Sequence, residues 1–143
     1  MYYQSVGRNA NLMFGAVPNG DRLIPEADSA LCGEMGWELR RRLGKPLAEM
    51  SGLGRTVELG LPEPARIDHV VIMEDIVHGQ RVRSYVVEGL VPGNTWRPLD
   101  DGVSIGHKRI QQFDATEIAK LRLRTTVCIA ETITRRFAGY ARA

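Results

Sequence analysis

Glu74, Asp75 and His78 place two carboxylates and an imidazole within one short stretch of the chain. Carboxylates beside a histidine are the groups used for general acid–base catalysis. The stretch ends at Gly79 and lies between two apolar runs, so it is predicted to be a loop between strands. Two interpretations stay open: an exposed polar turn, or a site for acid–base work or sugar contact in which His78 takes part.

Trp96 is the second candidate, because an indole ring can stack on the face of a sugar; the alternative is a core or rim anchor. His69 and His107 lie in or beside predicted strands without metal-ligand spacing, which predicts packed or surface histidines. Cys32 and Cys128 are far apart and outside any CxxC pattern, which predicts free, buried thiols. The sequence therefore predicts neither a metal site nor a cofactor.

The elements that must position these residues are short predicted strands separated by turns. Alternation is clearest at 120–129, where Lys120, Arg122 and Arg124 share one face, either a ligand surface or a solvated outer face. The turn formers are Pro92-Gly93-Asn94 and Asp100-Asp101-Gly102. Further strands are predicted at residues 56–59, 70–73, 82–87 and 133–140. This spacing predicts an antiparallel sandwich or barrel.

Upstream, the apolar run at 12–17 predicts a strand buried on both faces. A helix is predicted at 26–43, with Pro25 at its first position, acidic residues in its first turn and Gly44 as a left-handed cap. Residues 50–55 are predicted to be a linker. The apolar stripe of the helix consists of Ala27, Leu31, Met35, Leu39 and Leu43.

The composition is that of an ordinary globular domain. The chain has 143 residues, 43% of them apolar and 25% charged, with a formal net charge of +2. This small charge gives no argument for nucleic acid, and no apolar run is long enough to span a membrane. No signal peptide is recognised at the start, which leaves a cytoplasmic or undetermined location as the expectation.

One strand and one helix are a single βα unit, which normally needs neighbouring units to cover it. The first 45 or so residues therefore have the character of the last piece of a larger barrel or doubly wound domain. The segments YYQSVGRNANLMF, PNGDRLIPEAD and GKPLAEM, followed by VVIMEDIVHGQRVRSYVVEG, WRPL, GVSIGHKRI and RRFAGYAR, resemble α-L-fucosidases of glycoside hydrolase family 29. The resemblance is to the end of the catalytic barrel and the C-terminal β-sandwich.

The resemblance implies a last barrel strand at 11–15, the helix at 26–43 and a galactose-binding-like sandwich from residue 56. The chain is accordingly divided into 1–50, the barrel end, and 51–143, the sandwich. Family members are retaining hydrolases that use an aspartate nucleophile and a glutamate acid/base. The resemblance places both upstream of this chain, so no catalytic residue is carried over. Gly15 and Phe14 depart from the asparagine and the aliphatic residue usual in the family.

Three hypotheses follow. The first is a truncated α-L-fucosidase-like protein, whose activity on a fucosylated glycan or small fucoside is residual or comes from an assembled site. The second is a carbohydrate-binding sandwich without catalysis. The third is a structural module for oligomerisation. In each case, the uncovered apolar residues at 12–17 and on the helix predict a homo-oligomer.

Overall fold

The computed structural model of the protein describes residues 1–141 and is built mainly from β-strands. One 3₁₀ turn and one α-helix precede six strands, which matches the predicted order of helix before sheet. The elements are the 3₁₀ turn Tyr2–Gln4, α1 Glu26–Leu43, β1 Ala48–Leu53, β2 Thr56–Glu74, β3 Val82–Val91, β4 Thr95–Gly102, β5 Arg109–Cys128 and β6 Ile133–Ala141.

All six strands pair antiparallel in one sheet, in the order β1-β6-β2-β5-β3-β4. The long strands β2 and β5 pair twice: residues 56–60 with 120–124, and 65–72 with 109–118. The register shifts between these two stretches. On the side of the second stretch, β6 pairs with β2 and β1 pairs with β6. On the side of the first stretch, β3 pairs with β5 and β4 pairs with β3.

The two halves of this sheet share one core, so the sheet folds over itself in a sandwich-like manner. Ile67 and Phe137 from one half pack with Leu121 and Val87 from the other. Residues 56–141 contain no helix, which confirms the predicted antiparallel β fold. The fully buried core also includes Val57, Leu59, Val70, Ile72, Val82, Tyr85, Ile105, Ile118 and Leu123. Each large side chain buried in this way contributes roughly 1.5–3 kcal/mol to folding.

Helix α1 begins and ends where the sequence predicts, at Glu26 and Leu43. Pro25 precedes the first helical residue as the N-cap. Gly44 adopts right-handed dihedral angles, φ −69° and ψ −63°, so the predicted left-handed cap is wrong. The helix has no fully buried residue, and Leu31 in its apolar stripe is 64% exposed. Ala27 and Leu31 of the stripe are exposed, whereas Met35, Leu39 and Leu43 are half-buried.

The predicted strand at 12–17 is wrong. These residues form no strand, and Met13 and Val17 are 89% and 76% exposed. A strand buried on both faces requires partners at its edges, and no strand of residues 1–141 lies beside this segment. The run is apolar, but a strand also needs neighbouring strands with which to pair. Residues 1–141 supply none beside this segment.

Two predicted irregular segments are strands instead. Residues 50–53 of the predicted linker belong to β1, which pairs with β6, and Gly54 turns the chain into β2 with φ +91°. Asp100, Asp101 and Gly102 are not a turn but the end of β4, paired with β3. β1 pairs with the distant strand β6, whereas β4 forms a hairpin with the preceding strand β3. The division at residue 50 stays a prediction and lies within β1, and residues 142–143 of the predicted sandwich lie outside the described part of the chain.

Candidate functional site

Glu74 ends β2 and is buried, with 2% of its surface exposed. One carboxylate oxygen accepts hydrogen bonds from the backbone N–H groups of Arg81, at 2.6 Å, and Val82, at 3.0 Å. The other oxygen accepts from the N–H of Gly106 at 3.3 Å. The side chain thus closes the β2–β3 loop and ties it to the segment before β5. Hydrogen bonds to a charged group are the stronger class, and three of them compensate its burial.

Asp75 and His78 lie in the same loop but are arranged differently. One oxygen of Asp75 accepts the backbone N–H of Val77 at 3.0 Å, a local turn contact, and His78 is exposed. Among the described residues, no hydrogen bond joins the side chains of Glu74, Asp75 and His78 to one another. Residues 75–81 form a loop between β2 and β3, with Glu74 at the end of β2. The catalytic role of Glu74, Asp75 and His78 stays a prediction, as does the sugar contact of His78.

Trp96 lies on β4 beneath a guanidinium group. The Arg122 side chain stands over the indole ring at 4.1 Å from its centroid. Arg122 also donates to Glu88 at 2.7 Å and lies 3.9 Å from Glu58. Glu88, Arg122 and Glu58 are direct neighbours across β3, β5 and β2, and Arg124 lies 3.4 Å from Glu88. We call these five residues the Trp96 face.

Charges on the Trp96 face are balanced across the strands. Burial opposes ionisation of Glu88, but hydrogen bonds from Arg122 and Arg124 and their positive charges outweigh it, so the pKa of Glu88 lies below its ordinary value. Two of the three cations predicted on one side of β5 are therefore paired. The face combines an aromatic ring, guanidinium donors and carboxylate acceptors, which are groups that bind polar ring-shaped molecules.

His69 is the group that sequence reasoning did not single out as part of a cluster. It is 2% exposed and stacks on Tyr140 with ring centroids 5.5 Å apart. Its Nε2 lies 2.9 Å from the backbone oxygen of Arg42, at the end of α1, and its Nδ1 contacts the Asp68 carboxylate. His69 thus connects the helix to the sheet. The signal in the sequence was its place directly before the apolar run 70–72 in β2.

Two further structural findings bear on chemistry. Within residues 1–141, no group of three or more His, Cys, Asp or Glu side chains has an arrangement that holds a metal ion. No helix in this range is long and apolar enough to cross a membrane. Both cysteines are free thiols; Cys32 on α1 is exposed, so its predicted burial is wrong, and Cys128 is half-buried.

No family model matches the chain. A curated protein of Oryza sativa subsp. japonica, "Putative alpha-L-fucosidase 1", is 28% identical over 86% of this chain and 30% of its own length. A solved structure from Bacteroides thetaiotaomicron VPI-5482, described as a "putative alpha-L-fucosidase", is 37% identical with a TM-score of 0.95, over 99% of this chain and 33% of that one. A glycoside hydrolase 29 family member from a rumen bacterium is 27% identical with a TM-score of 0.86, over 98% and 27%.

This chain resembles part of a family 29 α-L-fucosidase. It spans about a third or less of the length of the relatives it matches. The likeness to the Bacteroides structure includes helix α1 and the exposed segment before it, since it covers 99% of this chain. Helix α1 and the segment before it therefore have structural counterparts in a protein whose chain is about three times as long.

Proposed function

We propose that this chain is the sandwich-bearing portion of an α-L-fucosidase-type glycoside hydrolase. The observation that carries the proposal is the 37% identity and TM-score of 0.95 over 99% of the chain. In this function the chain acts on a fucosylated glycan or a small fucoside. Its part is to support a site that other residues complete, so activity of the chain alone is residual or arises in an assembly.

The chemistry of the loop after β2 supports this restriction. A retaining glycosidase needs two carboxyl groups about 5–5.5 Å apart, one of which transfers protons during the reaction. Both oxygens of Glu74 accept backbone hydrogen bonds, and the side chain is buried. Glu74 is therefore occupied in holding the loop closed. That leaves Asp75 and His78 as the accessible candidates, which is one carboxylate too few.

A test of the proposed function is hydrolysis of an aryl α-L-fucoside by the purified chain. We expect no turnover at the scale of ordinary enzymes, about 1–10³ s⁻¹. Substitutions Asp75→Asn and His78→Ala should leave any slow release of aryl alcohol unchanged. Glu74→Gln should weaken the loop, so the thermal stability of this variant is measured in parallel with its activity. Ordinary turnover that disappears in Asp75→Asn would refute the restriction and assign catalysis to this loop.

Carbohydrate binding without catalysis is the second candidate, and the Trp96 face is the observation that favours it. An aromatic ring beside paired arginines and carboxylates offers both an apolar surface and hydrogen-bonding groups to a sugar. His78 is a further predicted sugar contact. If the chain neither hydrolyses nor binds sugars and is a stable oligomer, the structural module is the function that remains.

The two tryptophans of the chain provide a matched test of sugar binding. In Trp37→Phe, the only indole is Trp96, and in Trp96→Phe it is Trp37, which is exposed on α1. We expect methyl α-L-fucoside to change the fluorescence of the first variant and not of the second. Equal responses, or no response from Trp96 at saturating sugar, would contradict binding at the Trp96 face.

A further inference from the structure

A cavity of about 340 Å³ lies between the last turn of α1 and the sheet. It falls within the range of small-molecule sites, about 300–1,000 Å³. Its walls come from the helix and from the middle of β2 and β5. The side chains used below are Arg41, Arg42, Asp68, Gln112, Phe113 and Asp114.

The cavity owes its shape to a break in strand pairing. Ile67 of β2 pairs with Thr116 of β5, whereas His69 pairs with Gln112, so residues 113–115 stand opposite a single residue of β2. The bulge is held by Arg66, which donates to the backbone oxygen of Ala115 at 3.2 Å. The hydroxyl of Thr116 also donates to the backbone oxygen of Asp114 at 2.8 Å. Bulges of this kind redirect side chains and are frequent beside functional sites.

The helix side of the cavity is held in place by Glu38. Arg41 donates two hydrogen bonds of 2.8 Å to this carboxylate, and Arg42 donates one. The hydrogen bonding of Arg41, followed by that of Arg42, lowers the pKa of Glu38 to about 2. The two guanidinium groups are therefore oriented, with further N–H donors still unused by Glu38 because each guanidinium has five.

Charge and donor chemistry determine the class of ligand. In the cavity lining, Arg41 and Arg42 are matched by Asp68 and Asp114, and both arginines also bond Glu38 outside it, so the site has no excess positive charge to attract an anion. The guanidinium groups equally disfavour a cation. Donors from Arg41, the acceptors of Asp114 and the amide of Gln112 instead match a neutral molecule with many hydroxyls, while Phe113 packs against the core.

We propose that this cavity binds one neutral sugar residue. The carboxylate of Asp114 and the amide of Gln112 bond the sugar hydroxyls, and Arg41 donates to a ring or hydroxyl oxygen. Asp68 contacts His69 and forms part of the cavity wall. Binding here requires no bond cleavage, so the inference does not rest on the proposed hydrolase function.

The test is a titration of the isotope-labelled chain by NMR, using methyl α-L-fucoside, methyl β-D-galactoside, N-acetylglucosamine and inorganic phosphate as separate probes. We expect at least one sugar to shift the signals of residues 112–115 and the side-chain amide of Gln112. Asp114→Asn should weaken this binding about tenfold or more, because it removes a charged acceptor. Asp21→Asn, in an exposed loop, is the matched control and should bind as the unmodified chain does.

Gln112→Ala, at an exposed position, serves as a second variant if Asp114→Asn does not fold, and should also weaken binding. The inference is overturned if no sugar shifts these signals, if phosphate binds in preference to every sugar, or if a folded cavity variant binds like the unmodified chain. Fucoside hydrolysis is measured separately, so loss of this site and loss of the proposed function give different results.

Discussion

At the scale of single residues, Glu88 shows how burial and charge oppose each other. Its carboxylate is nearly inaccessible, yet Arg122 and Arg124 keep its pKa below the ordinary value of 4.5. A group whose pKa is lowered by folding stabilises the fold above its unfolded pKa, and this stabilisation is lost as the pH falls through the folded pKa. The ion pair on the Trp96 face should therefore weaken in acid.

We expect Glu88→Gln to lower the free energy of unfolding at pH 7 by about 1.5–3 kcal/mol, since it removes charged hydrogen bonds from a buried position. The difference from the unmodified chain should shrink as the pH falls below 4.5. Urea unfolding at pH 7 and at pH 3 measures it, with the exposed Glu63→Gln as control. A difference that is the same at both pH values would contradict this role of the ionised carboxylate.

Tyr85 presents the opposite situation. Its hydroxyl is buried and, among the described residues, has no hydrogen-bond partner of normal geometry. Burial raises the pKa of Tyr85 to about 12, an effect that the nearby charge of Arg109 only partly offsets. Removing an unsatisfied polar group relieves a desolvation penalty.

Tyr85→Phe should therefore leave stability unchanged or raise it by about 1 kcal/mol. Tyr140→Phe is the matched comparison, because the Tyr140 hydroxyl accepts a hydrogen bond from Arg136 at 3.2 Å and its loss should cost about 0.5–1.5 kcal/mol. Thermal unfolding of both variants measures this difference in stability. If Tyr85→Phe were the more destabilising, the Tyr85 hydroxyl would have a partner after all.

At the scale of elements, the bounds of helix α1 were predictable because its signals are local: Pro25, the acidic first turn and the three arginines of the last turn. Most strands were also predictable from alternation. The strand at 12–17 was not, because pairing requires neighbours, and β1 was missed because Gly52 and Gly54 suggested a linker. The bulge at 113–115 depends on registers between distant residues, which no local pattern indicates.

The exposed apolar residues of α1 lead to a prediction about association. Leu31 and Trp37 are 64% and 61% exposed, and the segment at 12–17 adds more apolar surface. Burying such surface contributes about 25 cal/mol per Å². We expect a homo-oligomer whose interface includes residues 12–17 and the stripe, and we expect Leu31→Glu to dissociate it. Light scattering at micromolar concentration measures the mass; a clean monomer for the unmodified chain would rule the association out.

At the scale of the whole molecule, the chain is a folded-over sheet with a helix attached through few contacts. His69 and its contact with the Arg42 backbone are part of that attachment, together with Leu43, which packs near Tyr140. The sequence predicted the loop that holds Glu74, Asp75 and His78, but not that Glu74 is occupied by three backbone amides. Those partners include Gly106, 32 residues away, so only the folded structure brings them together.

We propose that the chain supports a fucosidase-type site but does not itself supply all the residues that this site needs. The most direct test of this proposal is the rate of aryl α-L-fucoside hydrolysis per chain, measured across concentrations on both sides of oligomer dissociation. We expect no ordinary turnover from the monomer, and we expect any activity to rise with the oligomer fraction. Ordinary turnover that is independent of concentration, carried by the monomer and abolished by Asp75→Asn, would contradict the proposal.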